Sequence, residues 1–271
     1  MREIVGEERD SLILHVLERI EADTQRIAAP ERTAAWERGW LEQLQRFRDA
    51  PHDDSLVPAF FRAGQPVRWR QGYWQPDDPE HELKHARRMQ RTVLAEAFAG
   101  CASVHEFGAG TGFNLVALAR LEPKRPYWGY DFSFPAVQLI SDAGQMLGLP
   151  VRGAWFNMAK PVDMEFGPDA GVLTFGAVEQ LGGSEAFKPF IEWLITKRPK
   201  IVLHVEPTVE FYDPANLIDN LAIRFHRKRG YTTGLLPYLQ AHPQVEMLKA
   251  ERGWFGSLML EAYNTILWRV K

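Results

Sequence analysis

Val104-His105-Glu106-Phe107-Gly108-Ala109-Gly110-Thr111-Gly112-Phe113-Asn114-Leu115 is the stretch that decides how this chain is read. A short apolar run ends in glycines at alternate positions, and a helix-forming run follows. Glycine lets the main chain turn sharply and approach a ligand without interference from a Cβ atom. The helix that begins there presents unpaired N–H groups. A dinucleotide fingerprint would read G-x-G-x-x-G, but Phe113 occupies the position of the last glycine, so the loop is G-x-G-x-G. Glu106 stands two residues before the first glycine, where it would repel a pyrophosphate and welcome an ammonium group. S-adenosylmethionine suits that loop better than a nicotinamide dinucleotide.

The flanking sequence repeats one pattern. Strands are expected at 103–108, 127–131, 151–157, 170–176 and 200–206, with helices at 112–121, 134–147, 184–196 and 214–229. Strands separated by helices of that length imply crossover connections and a parallel sheet. Two further strands, near 245–252 and 261–270, lack such a helix between them and should pair antiparallel at one edge, with Trp254-Phe255-Gly256 in their connection. Successive strand ends carry residues fitted to one ligand. Asp131, followed by Phe132, lies about twenty residues past the glycine loop, where a carboxylate can accept hydrogen bonds from ribose hydroxyls. Asn157-Met158 offers an amide and an apolar side chain to an adenine, and the fourth strand ends in Thr174-Phe175-Gly176-Ala177. A crevice at the carboxyl edge of an open sheet is the expected place for that ligand.

With these residues, the segment from about 100 to 271 resembles the class I S-adenosylmethionine-dependent methyltransferases. Glu106, Gly108, Gly110 and Gly112 match their glycine motif, Asp131 their ribose-binding acid and Asn157-Met158 their adenine contact, with Asn157 in place of the more frequent aspartate. The resemblance implies an α/β, Rossmann-like seven-stranded sheet of order 3-2-1-4-5-7-6 with the seventh strand antiparallel. It also implies S-adenosylmethionine as methyl donor. A bacterial small-molecule subgroup is similar in having a Glu-Gln pair after strand four, here Glu179-Gln180, and a His-x-Glu-Pro strand five, here His204-Val205-Glu206-Pro207.

The methyl acceptor should be met by the ends of strands four and five. His204 and Glu206, two apart on a strand, share one side. Together with Glu179, Glu210, Tyr212 and Asp213 they are expected around one cavity, although Asp213 before Pro214 also suits a helix N-cap. Carboxylates gathered without a cation repel and raise a pKa. A small cationic acceptor, an amine or guanidine methylated on nitrogen, resolves that repulsion. A sugar or other hydroxyl acceptor, with His204 or Glu206 as base, is the competing reading, and a non-catalytic S-adenosylmethionine-binding subunit is the reading from another class. Asp-Asn pairing of the metal-dependent kind is missing, so no metal is expected.

Residues 1–98 read as an N-terminal helical lid region and 99–271 as the cofactor-binding domain. Leu12, Leu14, Val16, Leu17 and Ile20 form one helical stripe, Trp36, Trp40, Leu41, Leu44 and Phe47 a second, and a third helix is expected over 80–98. Between them, 51–79 is irregular, with five prolines. Within it, Arg68 or Arg70 is expected to hold the methionine carboxylate, and Tyr73 or Trp74 to pack on the sulfonium. His85 and Arg88 are further candidates for reaching the cofactor. The basic run Arg224 to Arg229 reads as a solvated helix face, because the chain carries a net charge of −3, and no nucleic-acid partner is expected. The single cysteine, Cys101, excludes an internal disulfide. The N-terminus lacks the apolar core of a secretory signal, and no apolar run reaches the ~18 residues of a membrane span, so a cytoplasmic protein without a membrane partner is expected. A homodimer is compatible with the sequence.

Overall fold

The structure is a computed structural model that describes residues 1–27 and 30–271. The chain opens with strand β1 (Arg2–Glu3), helices α1 (Gly6–Ala22) and α2 (Pro30–Asp49), and the hairpin β2 (Val67–Trp69) and β3 (Gly72–Gln75). Helix α3 (His81–Met89) continues through a π-helical turn, Gln90–Leu94, into α4 (Ala95–Ala97). Strand and helix then alternate through β4 (Ser103–Phe107), α5 (Phe113–Leu121), β5 (Tyr127–Asp131), α6 (Phe134–Leu147), β6 (Val151–Trp155), β7 (Ala170–Phe175), α7 (Lys188–Lys197) and β8 (Ile201–Glu206). Helices α8 (Leu217–Arg229) and α9 (Leu235–Ala241) lead into β9 (Val245–Glu251), β10 (Phe255–Gly256) and β11 (Asn264–Val270).

The main sheet has the order β6-β5-β4-β7-β8-β11-β9. Its strands pair in parallel from β6 to β8, and β11 runs antiparallel to both β8 and β9. Numbered within this sheet the order is 3-2-1-4-5-7-6, as expected. Central strand β4 is buried along its whole length, which fits a parallel strand covered on both faces. On one face, Val104, Leu173, Leu203 and Val205 pack against Leu94, Phe98, Leu115 and the apolar side of α6. On the other, Phe107, Val172 and Val202 pack against Phe190, Ile191, Leu194 and Trp268. Each such fully buried side chain contributes roughly 1.5–3 kcal/mol of transfer free energy.

The departures from expectation lie outside this sheet. A second sheet of order β1-β3-β2-β10 occupies the region expected to be irregular, and it borrows β10 from the C-terminal segment. The β2–β3 turn uses Arg70 and Gln71, both at positive φ (49 and 63), where Asn or Gly is the usual signal. Helix α8 begins at Leu217, not Pro214: Asn216 caps it by accepting the N–H groups of Ile218 and Asp219. Asp213 instead accepts the N–H of Ala215 one turn earlier, so its expected capping role belongs to Asn216. The cations of α8 are not simply solvated, since Arg224 pairs with Glu21 and Arg229 with Asp23 beside α1. No described helix is long and apolar enough to cross a membrane.

Candidate active site

The glycine loop runs from the end of β4 to the start of α5. Gly108 has φ +70, and a Cβ there would lie 2.4 Å from the Cβ of Ala177. Gly110, at φ +54, lies under Trp40, whose ring would stand 3.0 Å from an added Cβ. Gly112, at φ +74, is the N-cap of α5. Beside this loop Glu106 is 1% exposed, and its Oε1 accepts a 2.7 Å hydrogen bond from Asn114. Asn114 is fixed in turn by Gln90, which the π-helical turn delivers, at 2.9 Å. Glu106 Oε2 has no partner. Burial pushes the carboxyl up to about 8, against the Asn114 hydrogen bond and with help from the Asp131 charge. A buried acceptor with a free oxygen at a glycine loop is matched to an incoming cationic group.

Asp131 lines the adjoining cavity of about 260 Å³. Its carboxylate accepts the N–H groups of Gly110 (3.0 Å) and Ser133 (2.9 Å), while burial pushes it up to about 6. Phe132, Asn157 and Met158 line the same cavity, with Gly108 and Ala177 as its floor. Phe175 lines the neighbouring space around Glu106. The structure therefore brings Glu106, Gly108, Gly110, Asp131, Phe132, Asn157, Met158 and Phe175 to one cleft at the carboxyl edge of the sheet.

The cover over that cleft is not the segment singled out in the sequence. Arg68 is 0% exposed and bonded to Asp219 at 3.0 Å, within a buried network that also holds Arg252 and Glu261. Tyr73 is buried in an apolar cluster with Ile4, Val16 and Ile20. Arg70 lies over Trp69, and Trp74 donates to the Trp69 carbonyl. His85 stacks on Phe255 with ring centroids 4.1 Å apart, and neither it nor Arg88 lines the cleft. These are corrections: the segment from Arg68 to Trp74 folds into the small sheet and is consumed by it, and α3 packs its His85 against Phe255 of that sheet. The cover comes from α2, where Trp36 and Trp40 stack at 5.3 Å and line both cavities. Trp36 and Trp40 belong to the same helical stripe as Leu44 and Phe47, so their signal in the sequence also fits ordinary core packing.

A third cavity, about 330 Å³, opens from Phe175, Gly176 and Trp36 toward the expected acceptor side. Of the six residues expected around it, only Glu179 lines it. His204 pairs in register with Thr174 and shares the face of Phe107 and Trp268, opposite Glu106. It is fully buried, bonded to Thr174 at 2.7 Å, and burial lowers its pKa to about 3. Glu206 shares that face and is occupied by the backbone N–H groups of Ala177 and Val178, at 3.0 and 3.1 Å, so it anchors the turn after β7. Glu210 accepts the N–H of Gly234. Tyr212 is buried between Arg68 and Arg252, and its hydroxyl accepts the N–H of Glu261 at 2.9 Å. The acidic wall therefore does not form.

What remains is a relay that the sequence does not reveal. Arg32 donates to Gln180 Oε1 at 2.9 Å, and Gln180 Nε2 donates to Glu179 Oε1 at 2.8 Å. Glu179 is 7% exposed, and its Oε2 has no partner. Burial first, then the neighbouring Glu206 charge, holds this carboxyl well above the usual range. Glu82, across the cavity, is pushed up to about 7 by burial, against a hydrogen bond from Tyr263. Among the described residues, no three His, Cys, Asp or Glu side chains cluster as metal ligands.

No protein-family model matches the chain, and no curated protein matches it. Solved structures do. The O-methyltransferase NcsB1 from neocarzinostatin biosynthesis, in complex with S-adenosylmethionine and 2-hydroxy-5-methyl naphthoic acid, superposes with a TM-score of 0.51 at 14% identity. That match covers 70% of this chain and 56% of the other, so the chain spans little more than half the length of that protein. The mitomycin 7-O-methyltransferase MmcR has a TM-score of 0.50 at 13% identity, over 96% of this chain and 72% of its own. A protein from Pyrococcus horikoshii has a TM-score of 0.50 at 9% identity, over 72% of this chain and 93% of its own. At these identities the likeness is one of fold, and with the sheet order it gives this chain the Rossmann-like class I methyltransferase fold.

Proposed function

We propose that this chain is a methyltransferase that uses S-adenosylmethionine and methylates a hydroxyl group of a small molecule. The observation that carries the reading is the continuity of three cavities. The glycine loop with Glu106, the strand ends with Asp131 and Asn157, and the chamber with Glu179 all meet at Trp36 and Gly176. The residues present fit the cofactor. Glu106 Oε2 is a buried acceptor without a partner, and Gly108 leaves open a space that a Cβ could not share with Ala177. Glu106 would hold the amino-acid end, Asp131 the ribose, and Asn157 with Met158 the adenine. The choice of cofactor is supported by NcsB1, a solved structure of this fold in complex with S-adenosylmethionine.

When bound, the cofactor supplies a methyl group on a sulfonium, which departs as a neutral thioether once a C–O bond has formed and the C–S bond has broken. The acceptor hydroxyl must then lose its proton, and Glu179 Oε2 is the carboxyl oxygen of the chamber that is buried without a partner. Gln180 holds Oε1, so proton exchange is directed to Oε2. The raised pKa makes the Glu179 carboxylate a stronger base than an ordinary glutamate, so that the ionised fraction of this carboxyl is the form that takes the hydroxyl proton. Trp36 and Trp40 keep water away from the reacting end. An amine or guanidine acceptor loses its support, because Glu206 and Glu210 are committed elsewhere.

Calorimetry with S-adenosylhomocysteine, paired with Glu179→Gln turnover, tests the reading. The expected result is binding by both proteins and a loss of kcat in the variant of about 10²–10⁴-fold. No heat with S-adenosylhomocysteine in either protein would end the assignment, and unchanged turnover in the variant would remove Glu179 as base.

A further inference from the structure

We infer that the chamber holding Glu179 selects a flat, apolar hydroxy acceptor bearing an anionic group, with Arg19, Arg32 and Arg62 as the residues that recognise the anion; this rests on the methyltransferase reading for its hydroxyl. The three arginines line the chamber from unrelated parts of the chain: α1, the first turn of α2, and the loop before β2. Among the described residues none of the three forms an ion pair. Arg32 spends its donors on two amide oxygens, those of Gln25 and Gln180, and its Nε is buried without a partner. Arginine that converges on a chamber without a carboxylate partner is suited to bidentate capture of one from solution.

The acids of the same chamber do not cancel this charge. Glu179 is held toward its neutral form by burial and by Glu206, and Glu82 sits near its midpoint at about 7. The chamber therefore sets three arginines beside two carboxyls that burial holds toward the neutral form, the reverse of the acidic wall expected from the sequence. Its remaining walls set the rest of the ligand. Phe60, Phe175, Phe225, Tyr263, Leu258 and Met259 are apolar or aromatic, which favours a planar ring system over a sugar. A volume of about 330 Å³ lies in the range of small-molecule sites. Arg19 and Arg62 would take the anionic end with Arg32 behind them on Gln180, and the hydroxyl end is left beside Glu179 Oε2.

A matched series tests the charge preference: a hydroxybiphenyl carrying a carboxylate, a carboxamide or an aminomethyl group. Each is titrated calorimetrically into the full chain, with and without S-adenosylhomocysteine. The expected order is carboxylate, then carboxamide, then aminomethyl, with steps of about tenfold in Kd. Arg19→Gln and Arg62→Gln, both on solvent-accessible side chains, should erase most of the carboxylate advantage and leave the carboxamide unchanged. Equal affinities, preference for the aminomethyl compound, or no binding by any of the three would overturn the inference. The two proposals can fail separately. The expected ranking without any response to S-adenosylhomocysteine would retire the methyltransferase reading and keep the anion site. A clear S-adenosylhomocysteine signal with the ranking lost would retire only the anion site.

Discussion

Glu106 makes cofactor affinity depend on pH in a way that can be worked out from the structure. The group is buried, has one oxygen without a partner, and has its pKa pushed up to about 8. The ammonium end of the cofactor favours the carboxylate, so binding below pH 8 must expel a proton. At pH 7 about one Glu106 in eleven is ionised, so the apparent affinity falls about tenfold below its high-pH limit, or ~1.4 kcal/mol. About 0.9 of a proton should leave for each ligand bound at pH 7. Between pH 8 and pH 6 Kd should weaken by close to a decade per unit, and more steeply below that as Asp131, raised to about 6, also takes up a proton.

Titration calorimetry with S-adenosylhomocysteine, in two buffers of different ionisation enthalpy, reads both quantities. Glu106→Gln keeps an acceptor for Asn114 and removes the titrating group, so the difference between the two proteins isolates Glu106 from titration of the ligand's own amine. The linkage has a counterpart in the protein without ligand. A carboxyl whose folded pKa is raised contributes stability that is fully present below its unfolded value of about 4.5 and is lost as pH rises through about 8. The shift of about 3.5 units corresponds to several kcal/mol, so Glu106→Gln should melt higher than wild type at pH 8.5 and show little difference near pH 4.5. A Kd that stays constant from pH 6 to 8, or a Glu106→Gln protein with the wild-type profile, would refute the reasoning.

Two further outcomes test the frame that carries the site. Arg252→Ala strips Asp219 and Glu261 of their shared partner inside the protein, at 2.6 and 2.7 Å, and should cost about 3–5 kcal/mol in denaturant unfolding. Arg269→Ala removes an ion pair of half-exposed partners and should cost under ~1 kcal/mol; equal losses would show that the buried network is not a structural hub. Gly108→Ala forces a side chain onto Ala177 at a positive φ, so it should weaken S-adenosylhomocysteine binding and lower the melting temperature together. Wild-type binding by that variant would move the cofactor away from the loop.

The parts of this protein that were legible in the sequence are those governed by local period and spacing. The alternation of short apolar runs with helical runs dictated the parallel sheet, and the missing crossover before β11 marked its antiparallel pairing. Glu106, Asp131 and Asn157 were readable because a strand end has only one place to go in such a sheet: toward the carboxyl edge. The acceptor side depended on a different kind of information. A spacing of two shows that His204 and Glu206 share a face, yet nothing local shows which face, and the register with Thr174 puts them opposite Glu106. Glu206 then looked like a base because its partners, the N–H groups after β7, have no sequence signature of their own. The hairpin at Arg68 was hidden by a turn built from Arg70 and Gln71, residues that rarely adopt positive φ. Its strands drew Arg68 and Tyr73 inward and left the covering role to Trp36 and Trp40 of α2. The charge of the acceptor chamber was therefore beyond the reach of motif reading. It is set by an arginine from each of three distant segments and by acids that burial holds toward the neutral form, and only folding brings those groups together.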